Sequence, residues 1–151
     1  MANKQRLKIG DLVQIPLSKN RFGYGQLLGF NQVAIFSICQ SEEISPEFIR
    51  QSKILFVIAV YKQDINQGKW KKIGKSLPVL EKLPLQFIQD MHQPGIIQLY
   101  QPETGRTTPA TREDCMGLER CAVWEAYQVA ERIQDYFDGK ENQWENQLKL
   151  I

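Results

Sequence analysis

Thr111–Asp138, TREDCMGLERCAVWEAYQVAERIQDYFD, is the stretch that decides the fold class. Cys115, Leu118, Ala122, Ala126, Val129, Ile133 and Phe137 recur at helical spacing and predict one long helix with a continuous apolar stripe. Thr111 and Asp114 fit a capping box at its start, and Gly139 stands where a left-handed residue closes a helix. Met116, Val123, Tyr127 and Ala130 fall opposite the stripe, with Trp124 on one edge, so the helix has a second apolar face. Two readings stay open for it: the tail, whose Trp144 needs a seat, folds back over it, or a partner covers it.

The remainder of the 151 residues supplies a sheet for that helix. Asp11–Leu17 alternates apolar and polar residues, SKNR turns the chain, FGYGQLLGF returns as a glycine-spaced strand, and Val33–Cys39 follows after Asn31 and Gln32. Such a meander begins a curled sheet or an SH3-like half-barrel. Ser45 followed by Pro46 predicts a short helix over Pro46–Gln51. Ile54–Tyr61, ILFVIAVY, reads as a central strand buried on both sides. Asn66-Gln67-Gly68 and GKWKKIGK then read as the turn and second strand of a hairpin. Prolines at 78, 84 and 94 break the next region, leaving at most a turn or two of helix at Leu85–Met91, and Ile96–Gln101 with Gly105–Thr108 predicts a last hairpin. The expected architecture is α+β: a curved antiparallel sheet, an SH3-like meander with hairpins, packed against one long C-terminal helix, all in a single domain over residues 1–151.

At 42% hydrophobic, a chain of this length buries roughly two-thirds of its unfolded surface and needs no disulfide or metal to fold. No apolar run approaches the length of a membrane span, and MANKQRLKIGD lacks a signal core, which gives a cytoplasmic expectation. Cys39, Cys115 and Cys121 form an odd set without C-x-x-C spacing and read as reduced thiols. His92 is the only histidine, so zinc or triad chemistry would depend on one residue without supporting spacing. The net charge of +2 is divided: residues 1–111 carry 14 Lys and Arg against 8 Asp and Glu, residues 112–151 carry 5 against 9. An acidic helix could pack on a basic sheet, or present its charge to a cationic partner.

The motifs of chemistry are mostly missing. Gly23-Tyr24-Gly25 has Leu28 where the dinucleotide fingerprint wants a third glycine, and a strand where it wants a helix. Lys69, Trp70, Lys71, Lys72 and Lys75 could track phosphates and stack a base, which would make a small nucleic-acid-binding module. A charged edge strand with Trp70 turned inward explains the same residues without a ligand. Glu119 and Glu125 could serve as acid and base, yet they lie on opposite margins of the stripe and are not a natural pair.

Lys8–Leu17 (KIGDLVQIPL), Tyr24–Gly29 (YGQLLG), Trp70–Lys75 (WKKIGK) and Gly117–Glu125 (GLERCAVWE) together resemble family 26 of the immunity proteins of bacterial polymorphic toxin systems. The resemblance implies a small cytoplasmic α+β protein that binds a cognate toxin domain, often a nuclease, and blocks its active surface. It implies no catalytic residue, and inhibition by occlusion requires no cofactor. Tyr24, Trp70, Glu119, Trp124 and Glu125 are the candidate partner-binding residues on the reading of the sequence itself, with Glu42, Glu43 and Glu47 as a further acidic group.

Overall fold

The computed structural model describes residues 6–151. The start of the chain reads as disordered in the sequence, and its residues 1–5 lie outside the described residues. Two sheets carry the fold. In the larger one, β1 (Asp11–Pro16), β2 (Phe22–Gly29), β3 (Gln32–Phe36) and β4 (Ile54–Val60) run as an antiparallel meander. Register shifts at Leu27/Gly29 and Ile35/Phe36 mark the irregularities at which such strands bend. Helix α1 (Pro46–Gln51) lies between β3 and β4, with the Ser45 side chain accepting from the Phe48 amide and Pro46 in the first turn, as its sequence predicts.

Burial on both faces explains the near-continuous apolar strands. Val13, Ile15, Val33, Ile35, Phe56, Ile58 and Val60 share one core with Trp70, Trp124, Val129 and Ile133. Their strand neighbours Leu12, Tyr24 and Phe36 face the other side, against Ile38 and Ile49. The segment after Ser76 closes that second side, pinned by buried Gln26, which accepts from the Val79 amide at 2.8 Å and donates to the Gly10 and Leu77 carbonyls, each at 3.1 Å.

Three parts depart from the expected arrangement. Lys71–Lys75 (β5) does not fold back on β4: α2 (Lys62–Asn66) carries the chain away, and β5 pairs antiparallel with β1. The free edge of β4 is instead taken by β10 (Val123–Trp124), running parallel to it, so the sheet is mixed. The turn of helix expected at Leu85–Met91 is a strand, β6 (Gln86–Gln89), whose buried glutamines disguise its inward face. It leads the second sheet, with β7 (Ile97–Tyr100) and β8 (Thr107–Pro109) forming the expected hairpin and β9 (Glu119–Arg120) parallel on its other edge.

The single long helix is the third departure. The capping box at Thr111 and Asp114 starts α3 (Arg112–Cys115), but Gly117 adopts φ +81° and ends it after one turn. Glu119–Arg120 and Val123–Trp124 are then short strands, pairing first with β6 and then with β4. Helix α4 (Ala126–Phe137) restarts with the Glu125 amide donating to Gln128 Oε1 at 3.0 Å and closes before Gly139 at φ +69°. The predicted stripe is thereby divided between two cores: Ala126, Val129 and Ile133 bury against the large sheet, Cys115 and Leu118 against Phe87 and Ile97 of the small one. A buried bond from Gln86 Nε2 to Gln32 Oε1, at 3.1 Å, joins the two sheets.

Candidate functional site

Helix α4 shows the large sheet its small and branched residues and turns Tyr127, Tyr136 and Phe137 outward, at 53%, 55% and 38% exposure. After Gly139 the chain reverses into α5 (Gln143–Gln147), which lies back along α4. Asn142 makes that reversal rigid: its oxygen accepts from the Glu145 amide and its Nδ2 donates to Asp135, both at 2.9 Å. Trp144 finds the seat that its size demands, its Nε1 donating to Glu131 Oε2 at 2.7 Å and its ring meeting Tyr127 edge-on at 6.0 Å. Tyr136 and Phe137 form a second edge-on pair at 5.1 Å. The tail thus covers part of the second apolar face and leaves Tyr127 exposed beside the carboxylates of Glu125 and Glu131.

Beneath this face sits Arg132, buried to 6% exposure. Its guanidinium lies 3.8 Å over the Phe56 ring and donates to both oxygens of Glu119, at 2.7 and 2.9 Å, and to Glu145 at 3.0 Å. A two-pronged, partly buried pair of this kind fixes geometry as well as charge. A cleft of about 230 Å³ opens beside it, lined by Phe56, Arg132, Tyr136, Lys140 and Glu145 among others.

The five expected contact residues are not brought together. Tyr24, Trp70 and Trp124 lie in the core, at 0%, 2% and 2% exposure, so a rigid partner does not reach them. Glu119 is half-buried and committed to Arg132 of α4. Glu125 is exposed at the start of α4. Glu119 and Glu125 therefore do not face one another as acid and base. The aromatic members Tyr136 and Phe137 were missed as surface residues because an aromatic at helical spacing reads the same whether it faces core or solvent.

The arrangement offers little reactive chemistry. Burial pushes the Cys39, Cys115 and Cys121 thiols above their ordinary pKa, keeping them protonated. His92 stands on an exposed loop, where its amide donates to Asp90 Oδ1 at 2.8 Å. On the β5 edge, Lys72 pairs with Asp11 at 3.2 Å and Trp70 points inward, so the lysines lack a stacking aromatic for a nucleic-acid strand. No helix among the described residues is long and apolar enough to cross a membrane.

Neither a curated protein nor a solved structure matches the chain. The family model described as immunity protein 26 matches residues 8–96, more than half of the sequence, from the turn before β1 to the start of the β7 hairpin. The chain belongs to the immunity protein 26 family, whose members neutralise a toxin and are inhibitors without catalysis of their own.

Proposed function

We propose that this protein acts in the cytoplasm as a single domain that binds a cognate nuclease toxin and blocks its substrate groove through the α4–α5 face. The observation that carries the reading is the exposure of Tyr127, 53%, with Glu125 and Glu131 beside it and Trp144 of α5 edge-on against its ring. Aromatic anchors supply binding energy where water is excluded, and carboxylates around them complement a groove built to hold phosphates. Residues 112–151 carry 5 cationic against 9 acidic side chains, so the field on this side favours such a partner. A stable block needs about 800 Å² on each partner. Of the residues singled out in the sequence, Glu125 makes direct contact, Glu119 acts by holding Arg132 beneath the face, and Tyr24, Trp70 and Trp124 support it from the core.

The test uses the toxin domain whose growth arrest this protein relieves on co-expression, purified and assayed on DNA and RNA. The expected result is nucleic-acid cleavage that one equivalent of the protein abolishes. The double variant Glu125→Lys/Glu141→Lys is expected to weaken binding at least tenfold at low salt and to flatten its salt dependence. A toxin that cuts neither substrate would remove the nuclease assignment, and unchanged affinity of the double variant would remove the face.

A further inference from the structure

The β2–β3 hairpin turns on a two-residue loop whose residues, Phe30 and Asn31, both have positive φ, at 52° and 60°. Loops of this kind favour Asn, Asp and Gly, and a bulky aromatic in the left-handed region is strained. Strain of this sort persists where folding or function repays it. The fold uses the turn's backbone, the Asn31 carbonyl accepting from the Val60 amide at 2.9 Å, but it leaves the Phe30 side chain 62% exposed, outside the core.

Next to it stands a second exposed anchor. Ile9 is 63% exposed and lies over Gly29, where an added Cβ would come within 3.1 Å of its Cδ1. Its backbone is held on both sides: the Lys8 amide donates to Asp11 Oδ2, and the Gly10 amide to the Leu27 carbonyl, each at 2.8 Å. Between the two side chains a cleft of about 190 Å³ reaches down to Leu27, Val33 and Ile65. Among the described residues, Lys8 and Lys62 are the charged side chains that line it, and no carboxylate does.

From these observations we infer that the Ile9–Phe30 cleft is a second docking point for the neutralised toxin, receiving one projecting apolar side chain set in an acidic patch of that domain. Charge complementarity selects the occupant: an apolar floor takes an apolar group, and two lysines on the rim select an acidic surround. Both lips are pre-organised, so little ordering is needed on binding. The cleft adjoins the acidic face through α2, which gives Lys62 and Ile65 to the cleft while Asp64 Oδ2 accepts from the first amide of α4, that of Ala126, at 2.8 Å. Two contact points of opposite charge fix the orientation of a partner and reject one whose charges are reversed. This inference rests on the toxin-binding role proposed above.

Phe30→Gly separates the strain from the contact. Glycine accepts the positive φ without cost, so the variant is expected to melt no lower than the wild type. Titrated with the purified toxin domain that the wild type neutralises, Phe30→Gly is expected to bind roughly thirtyfold more weakly, as for loss of a hot-spot anchor. Lys8→Glu/Lys62→Glu is expected to slow association several-fold at low salt. Wild-type affinity in Phe30→Gly would overturn the inference while leaving the toxin-binding role intact; no binding by the wild type would remove the role itself. Two other occupants give their own signatures, and either overturns the proposal: a dimer at high concentration that Phe30→Gly dissolves points to a second copy. Tighter toxin binding on deletion of residues 1–5, with Phe30→Gly unchanged, points to the chain's own start.

Discussion

Arg132 of α4 closes a two-pronged ion pair on Glu119 of β9, at 2.7 and 2.9 Å, and so fastens the helix over the large sheet to the edge of the small one. Arg132 is the buried member, its side chain 7% exposed, whereas Glu119 and Glu145 keep 30% and 48%. The cost of breaking the network therefore depends on which member is removed. Glu119→Ala strands most of a buried guanidinium and is expected to cost about 3 kcal/mol. Arg132→Met leaves two carboxylates that water can reach, fills the space over Phe56, and is expected to cost less. Glu145→Ala, at the exposed end, should stay within about 1 kcal/mol. Urea midpoints of the three variants give the order directly; a reversed order would show that the burial of Arg132 does not control the pair.

Trp124 is 2% exposed in the main core, and its Nε1 has no hydrogen-bond partner among the described residues. Two consequences follow from opposite terms. Trp124→Ala empties the site and is expected to cost about 3–5 kcal/mol. Trp124→Phe also loses volume, but it removes a buried donor whose desolvation costs about 1–3 kcal/mol, so it is expected to be much milder. Thermal melting distinguishes them, and equal losses would mean that the indole nitrogen is satisfied in solution.

Acid should loosen the chain at two identifiable carboxylates. Hydrogen bonding from Arg21 holds Asp138 below its ordinary value of 3.8, and the Thr111 amide and hydroxyl hold Asp114 below the same value. A carboxylate whose folded pKa is depressed contributes its full stabilisation above the unfolded value. That contribution is lost as pH falls from about 3.8 through the lower folded value. Asp138→Asn and Asp114→Asn are expected to lower the melting temperature slightly near neutral pH and to make it fall less between pH 5 and pH 3. Parallel curves for variant and wild type would remove these groups from the acid transition. The Arg21 pair is at the surface, so its part should also shrink in high salt.

What was legible in the sequence was local. Ser45 and Pro46 specify α1, the Thr111 capping box specifies the start of α3, and the β7–β8 hairpin follows from its own turn. Partners far apart in the chain were not legible. Nothing in GKWKKIGK says that β1, some sixty residues earlier, is its neighbour, and nothing in Cys121–Trp124 says that β4 has an open edge. The stripe through Thr111–Asp138 reads as one helix in the sequence although its halves serve two cores, Ala126, Val129 and Ile133 in one, Cys115 and Leu118 in the other. Exposure was equally hidden: Trp124 and Tyr136 are both aromatics in that stretch, and packing alone puts one inside and one out.

Gly117 stands where α3 ends, and it supplies the sharpest test of why the helix breaks. It adopts φ +81°, and no atom lies within 4 Å of where its Cβ would be. Gly117→Ala therefore meets no steric neighbour and reads the backbone cost alone, expected at about 1 kcal/mol. Gly139, at φ +69° and equally open, should cost the same on substitution, whereas Gly95, open without a positive φ, should tolerate alanine or gain slightly. The two left-handed sites are in different turns and their losses are expected to add. A neutral Gly117→Ala would mean that the pairing of residues 119–124 with β6 and β4 ends α3 by itself; a loss equal to that at Gly139 would assign the break to the glycine.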